Sequence, residues 1–174
     1  MKFKIDSPKK YRKKEQTLKV FLKSPISPLT FVNKFYSELD PVRSVNIKHK
    51  PIQYSAEYKT PQIILVDFRN DISYIALSIA HEYTHLLLRK NKIFRDKGVP
   101  EDQNVYSFDQ GLAIFTQLSY EDYANIRPFT KKTIFELAKY MHVNMDIAKK
   151  IYNDWNKKKL SKKIISPTFL NNSL

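Results

Sequence analysis

Residues 71–90 read Asp-Ile-Ser-Tyr-Ile-Ala-Leu-Ser-Ile-Ala-His-Glu-Tyr-Thr-His-Leu-Leu-Leu-Arg-Lys, and this stretch decides the fold. It contains no glycine or proline. It opens on Asp71, which is a favourable N-cap, and it closes on two basic residues that suit a helix C-terminus. Because the stretch is apolar nearly all round, we predict a helix buried in the core. This helix is too short and too interrupted to span a membrane.

Inside this helix lies the pentapeptide His-Glu-Tyr-Thr-His, residues 81–85. Helical spacing places His81 and His85 on one face, so both imidazoles can bind one ion. Glu82 can hold a water beside that ion and take its proton, which is the chemistry of a zinc hydrolase. Chance places this motif in roughly four of a thousand chains of this composition. The alternative is a core helix whose histidines are satisfied by hydrogen bonds.

The composition excludes several classes of function. The chain has 174 residues, which is enough for one domain with a sizeable core. It has no cysteine, so disulfides, cysteine-ligated zinc and thiol catalysis are excluded. The first ten residues hold no apolar segment of the kind found in secretory signals, and we therefore expect a cytoplasmic protein.

The net charge of +14 is concentrated towards the two ends of the sequence. Residues 1–50 carry thirteen basic and four acidic residues (+9), residues 51–130 carry eight and ten (−2), and residues 131–174 carry ten and three (+7). Basic ends can attract nucleic acid, anionic membrane or acidic partners by long-range electrostatics. A solvated lysine-rich surface is the simpler interpretation.

The order of the remaining elements predicts an α+β domain with a small mixed sheet, an active-site helix and a C-terminal helical part. The predicted strands lie at residues 42–50, 53–59 and 62–68. Helices are predicted at residues 29–39 with Thr30 as N-cap, at 105–119, at 130–139 and at 146–157. The last two helices have the look of a helix-turn-helix that could contact DNA, although packing on the core explains their apolar residues better.

This pattern divides the chain into three parts. Residues 1–28 form a basic N-terminal extension, residues 29–125 form the core, and residues 126–174 form helices packed on that core.

Over roughly residues 60–120 the chain resembles the gluzincins, zinc peptidases with H-E-x-x-H on one helix and a glutamate ligand on the next. The resemblance is carried by His81, Glu82 and His85 and by Gly111-Leu112-Ala113, since the family often has Glu-Gly-Leu-Ala on that second helix. The small minimal gluzincins and the ImmA/IrrE-type regulatory peptidases are the most similar. The resemblance implies a zincin-like fold, a zinc ion bound by the two histidines, and a peptide or protein substrate.

The third ligand is where the sequence departs from that family. Gln110 stands in place of the glutamate, and its neutral amide oxygen is a weaker zinc ligand than a carboxylate. Either Gln110 binds through this oxygen, or Asp109 takes over although it lies about 100° away around a helix, or the site binds metal poorly. The Gly-Leu-Ala register favours position 110. Without a metal, Asp109 would cap the helix or face water.

Three other side chains are candidates for the site. His49 on a predicted strand and His142 in a turn have no spacing that demands ligation. Tyr106, on the helix of the third-ligand position, is the candidate donor to an oxyanion. The metzincin pattern is excluded because Leu88 and Asn91 occupy its glycine and third-histidine positions.

Together these features predict a cytoplasmic zinc metallopeptidase in which Glu82 is the general base. The substrate is expected to lie along the strand at residues 62–68 by strand addition. The alternative is a catalytically weak or inactive zincin-like module that binds a protein or nucleic-acid partner through its basic ends.

Overall fold

The structure is a computed structural model that describes residues 2–51, 56–59, 62–92, 103–126, 149 and 153. Side chains are described for all of these residues except 56–59 and 103–111. These residues form one four-stranded mixed sheet and four α-helices, so the predicted α+β class is confirmed. The strands are β1 (Lys2–Asp6), β2 (Ser44–His49), β3 (Ala56–Lys59) and β4 (Ile63–Val66). The helices are α1 (Arg12–Leu22), α2 (Pro28–Phe35), α3 (Ile72–Lys90) and α4 (Gln103–Tyr123), and a short 3-10 helix (Lys9–Tyr11) precedes α1.

The sheet has the strand order β1-β2-β4-β3, with β1, β2 and β4 parallel and β3 antiparallel to β4. Ile5 pairs with Ile47, and Ile47 pairs with Ile64, so these three side chains line one face of the sheet. All three are buried, whereas Asn46 and Lys48 on the opposite face of β2 are exposed. This alternation places the core on one face of the sheet.

The predicted edge position of residues 62–68 is wrong. β4 pairs with β2 on one side and with β3 on the other, so the edges of the described sheet are β1 and β3. The physical reason is visible in β4 itself, because Ile64, Leu65 and Val66 are buried at consecutive positions. A strand that is apolar on both faces is typical of a sheet interior.

Helix α3 lies at the centre of the fold. Thirteen of its nineteen residues are buried, which confirms the predicted buried helix. It packs most extensively against α4, and it also contacts α2, β3, β4 and α1. None of the described helices is long and apolar enough to cross a membrane.

The first 28 residues, predicted as a basic extension, contribute to the same core as the rest of the described chain. β1 is hydrogen-bonded to β2 along its whole length. On α1, Leu18 and Leu22 are four residues apart and both are buried, at 0% and 4% exposure. Most lysines of this region therefore lie on the outside of a strand and a helix that belong to the core of the fold.

Helix α2 begins earlier and ends earlier than predicted. Thr30 is not its N-cap, because the helix starts at Pro28 and Ser27 occupies the N-cap position. Proline at the first position of a helix is favourable because its fixed φ suits the helix and its missing N–H is not needed there. The helix ends at Phe35 because Tyr36 leaves helical geometry, and its buried hydroxyl hydrogen-bonds to the Thr116 hydroxyl on α4 at 2.7 Å.

The helix predicted at residues 105–119 is confirmed as part of α4. The predicted helices at residues 130–139 and 146–157 lie outside the described residues, apart from two single positions. The same holds for nearly all of the predicted C-terminal part at 126–174.

Candidate metal centre

Both ends of α3 are fixed by side chains. Asp71 is the N-cap as predicted, and its Oδ1 accepts a hydrogen bond from the backbone N–H of Tyr74 at 2.7 Å. At the other end, the Asn91 amide donates to the carbonyls of Leu87 at 2.8 Å and Asp40 at 3.0 Å. The position that would hold the third histidine of a metzincin is therefore a helix cap.

Tyr83 and Thr84, inside the pentapeptide, are both held by hydrogen bonds, and the bond of Tyr83 ties α3 to α2. The Tyr83 hydroxyl donates to Asn33 Oδ1 on α2 at 2.9 Å, and burial raises the pKa of this hydroxyl, so it remains a donor. The Thr84 hydroxyl donates to the carbonyl of Ala80 at 2.8 Å. Both side chains are fully buried, so the rotation of α3 about its axis is set by packing and hydrogen bonds.

His81 and His85 are brought together as the i, i+4 spacing predicts. Their Nε2 atoms are 3.2 Å apart, and their ring centroids are separated by 4.9 Å. Two imidazole nitrogens that share a tetrahedral zinc ion at its usual bond length are separated by about 3.3 Å. The pair therefore fits two of the ligands of a zinc ion. A direct N–H···N hydrogen bond between opposite tautomers gives a similar separation.

Glu82 is a carboxylate almost withdrawn from water, with 8% of its surface exposed. His85 is also buried, at 2%, whereas His81 is partly open to solvent. A buried carboxylate next to two imidazoles in an apolar helix is costly unless charged or polar groups compensate it. This part of α3 therefore combines two nitrogen donors, one proton acceptor and an opening to water.

The candidates for the third ligand and the oxyanion donor all lie on α4. Tyr106, Asp109 and Gln110 fall within this helix, which packs against α3, but their side chains are outside the described set. Among the side chains that the structure does describe, no third histidine, aspartate or glutamate completes a metal-binding group with His81 and His85. The assignment of a third ligand to position 109 or 110 therefore stays a prediction.

His49 has a structural role. It lies at the end of β2, and its Nδ1 accepts a hydrogen bond from the backbone N–H of Phe68 at 3.1 Å. Its ring packs against Tyr11, with centroids 4.9 Å apart. His49 is thus a partly buried histidine that packs at the edge of the core. His142 lies outside the described residues.

The turn that leads from β4 into α3 is held by charged side chains that sequence reasoning missed. Asp67 is 3% exposed, and hydrogen bonds from the Arg69 side chain hold the pKa of Asp67 below its usual value. The Lys14 ammonium on α1 donates to the carbonyls of Phe68 at 2.9 Å and Asn70 at 2.7 Å. No local sequence pattern predicts the contacts of Lys14, because its acceptors are more than fifty residues away in the sequence.

Comparison with protein-family models, with curated proteins and with solved structures finds no match for this chain. The resemblance to gluzincins thus rests on the sequence of residues 81–85 and 111–113 and stays a prediction.

Proposed function

We propose that the protein is a zinc-dependent peptidase whose centre is built from His81, Glu82 and His85. The observation that carries the proposal is the 3.2 Å separation of the two Nε2 atoms on a helix fixed at both ends. Gln110 is the proposed third ligand, with Asp109 as the alternative, and Tyr106 is the proposed donor to the oxyanion. The role of Gln110 derives from the gluzincin resemblance, that of Asp109 from the chemistry of its carboxylate, and that of Tyr106 from its place four residues before Gln110 in the sequence of the same helix.

In this proposal the chain's own residues position water and move one proton. Zinc, when bound, supplies Lewis acidity that lowers the pKa of a nearby water and polarises the substrate carbonyl. Glu82 takes a proton from the attacking water as its oxygen bonds to the carbonyl carbon. When the C–N bond breaks, Glu82 returns that proton to the departing amine, so the products are a carboxylic acid and an amine. Burial of Glu82 keeps other water from competing for this proton.

The substrate is proposed to bind as an extended strand along β3. This strand is an edge of the described sheet, and α3, the helix that carries the histidines, packs against it. Main-chain hydrogen bonds to a sheet edge hold a peptide with little dependence on its side chains. This assignment replaces the predicted edge at residues 62–68, which is interior.

The activity test compares wild type with Glu82→Gln, both loaded with zinc, on a library of internally quenched peptides. Because a general base typically contributes about 100-fold to 10,000-fold in rate, we expect a loss of that size in the variant. Zinc content should be unchanged, since the amide does not remove a ligand. Full activity in Glu82→Gln would show that Glu82 is not the base.

A matched control is available in Glu121→Gln, because Glu121 is also a buried glutamate, at 6% exposure, and lies on α4. This variant should keep its activity if the effect at Glu82 is specific to the proposed chemistry. A zinc-loaded wild type that cleaves no library peptide would instead favour the non-enzymatic module.

A further inference from the structure

The exposed side of α1 is a surface of basic and neutral side chains. Residues four apart, or three apart, share a helix face, and the exposed residues of α1 and its C-cap fall within one arc of about 140°. We call this arc the basic face, and it consists of Arg12, Lys13, Gln16, Thr17, Val20 and Lys23, all exposed. Lys9 and Lys10 of the preceding 3-10 helix are also exposed and extend the cationic sequence at its N-terminal end.

The acidic residue of α1 lies away from the basic face. Glu15 accepts hydrogen bonds from the Lys19 ammonium and from the Ser7 hydroxyl, and the Lys19 bond holds the pKa of Glu15 below its usual value. Lys14 faces the core side, where it binds two backbone carbonyls. These contacts satisfy the cations outside the basic face, whereas the arc itself carries cations and neutral side chains without a carboxylate.

We propose that the basic face binds the phosphate backbone of double-stranded nucleic acid without reading its sequence. From Arg12 to Lys23 the face spans about 17 Å at the helical rise per residue, which is about half a turn of duplex. The Gln16 amide can donate a hydrogen bond to a phosphate oxygen, and such contacts position a protein on a duplex. Lysine and arginine contacts to phosphates supply affinity through release of counterions. The proposal is independent of the metal centre.

The chemistry of the basic face favours a nucleic-acid duplex over an anionic membrane or a single strand. An amphipathic helix that lies on a membrane inserts an apolar face with aromatic or leucine side chains, whereas the apolar contribution here is Val20 alone. Proteins that bind single strands without sequence preference stack bases on exposed aromatic rings. Tyr11, the aromatic residue next to the basic face, packs instead against His49 and Phe68.

The test measures binding of a fluorescein-labelled DNA duplex of about two helical turns, by anisotropy, between about 50 and 200 mM salt. We compare wild type with the triple variant Arg12→Gln, Lys13→Gln, Lys23→Gln. Wild type should bind with an affinity that falls steeply as salt rises. Since each phosphate contact contributes close to one unit of slope in log affinity against log salt, the triple variant should lose about 2 to 3 units.

A control variant separates a located surface from overall charge. The triple variant Lys34→Gln, Arg43→Gln, Lys92→Gln removes the same charge from exposed positions outside α1, and it should bind like wild type. Circular dichroism confirms that both variants are folded. Equal losses in the two variants, or no duplex binding by wild type at 50 mM salt, would overturn the proposal. Binding to vesicles that contain phosphatidylserine but not to the duplex would overturn it as well.

Discussion

At the residue scale, the approach of His81 and His85 could be predicted, and the contacts that hold their helix in place could not. The i, i+4 spacing of His81 and His85 is local, so helical geometry alone predicts that their nitrogens meet, as the 3.2 Å separation bears out. The hydrogen bond from Tyr83 to Asn33 joins residues fifty positions apart. Such a pair leaves no periodic signal in the sequence, because only the packing of α3 against α2 creates it.

The rows of residues along α4 also bear on position 110, the proposed third ligand. On α4, residues 110, 114, 117 and 121 form one row, whereas residues 109, 113, 116 and 120 form the next. Ala113, Thr116 and Tyr120 of the second row are fully buried, while Ile114 and Gln117 of the first are half-buried. Among the described side chains, the row of position 110 is therefore less uniformly buried than the row of position 109, although Glu121 at its end is buried.

We expect Gln110→Glu to bind zinc more tightly than wild type, by on the order of tenfold or more, because a carboxylate is a stronger zinc ligand than an amide oxygen. Competition with a fluorescent zinc chelator measures this affinity. Gln117→Glu adds the same charge about two turns away in the same row and should have little effect. If Asp109→Asn abolished binding while Gln110→Glu changed nothing, Asp109 would be the ligand.

At the scale of elements, the existence of α3, β2 and α4 could be predicted, because α3 is a capped apolar stretch and β2 alternates, though weakly, between apolar and polar residues. α1 was obscured by its charge: Leu18 and Leu22 are its two buried residues, in a helix that also carries four lysine and arginine residues. The predicted ends of α2 were wrong because Pro28 and Tyr36 act through backbone geometry and tertiary contact, which hydrophobic spacing does not report.

The membership of α1 in the core has a direct consequence for stability. Leu18→Ala should lower the free energy of unfolding by about 2 to 5 kcal/mol, because it removes a fully buried side chain and leaves a cavity. Urea unfolding followed by circular dichroism measures the change. Val20→Ala alters the same helix at a position 73% exposed and should stay within about 0.5 kcal/mol of wild type. An unchanged free energy in Leu18→Ala would show that α1 folds apart from the core.

At the scale of the whole molecule, the class of the fold could be predicted but the order of its strands could not. The consecutive apolar residues of β4 fit an interior strand, but the choice of β2 and β3 as its neighbours depends on pairings across the sheet that no single strand specifies. At this scale, the uneven charge along the sequence corresponds to different regions of the fold. The positive residues of the N-terminal part coat the outside of β1 and α1, while α3 provides a nearly neutral interior.

The central claim is that His81 and His85 share a zinc ion, and the zinc content of the protein tests it most directly. The protein is purified without chelator, incubated with zinc, desalted and measured by mass spectrometry of the metal. We predict about one zinc ion per chain in wild type and in His49→Ala, whose imidazole is already engaged by Phe68, and a near-complete loss in the double variant His81→Ala, His85→Ala. A wild-type protein that retains no zinc, and that Gln110→Glu does not rescue, would contradict the claim.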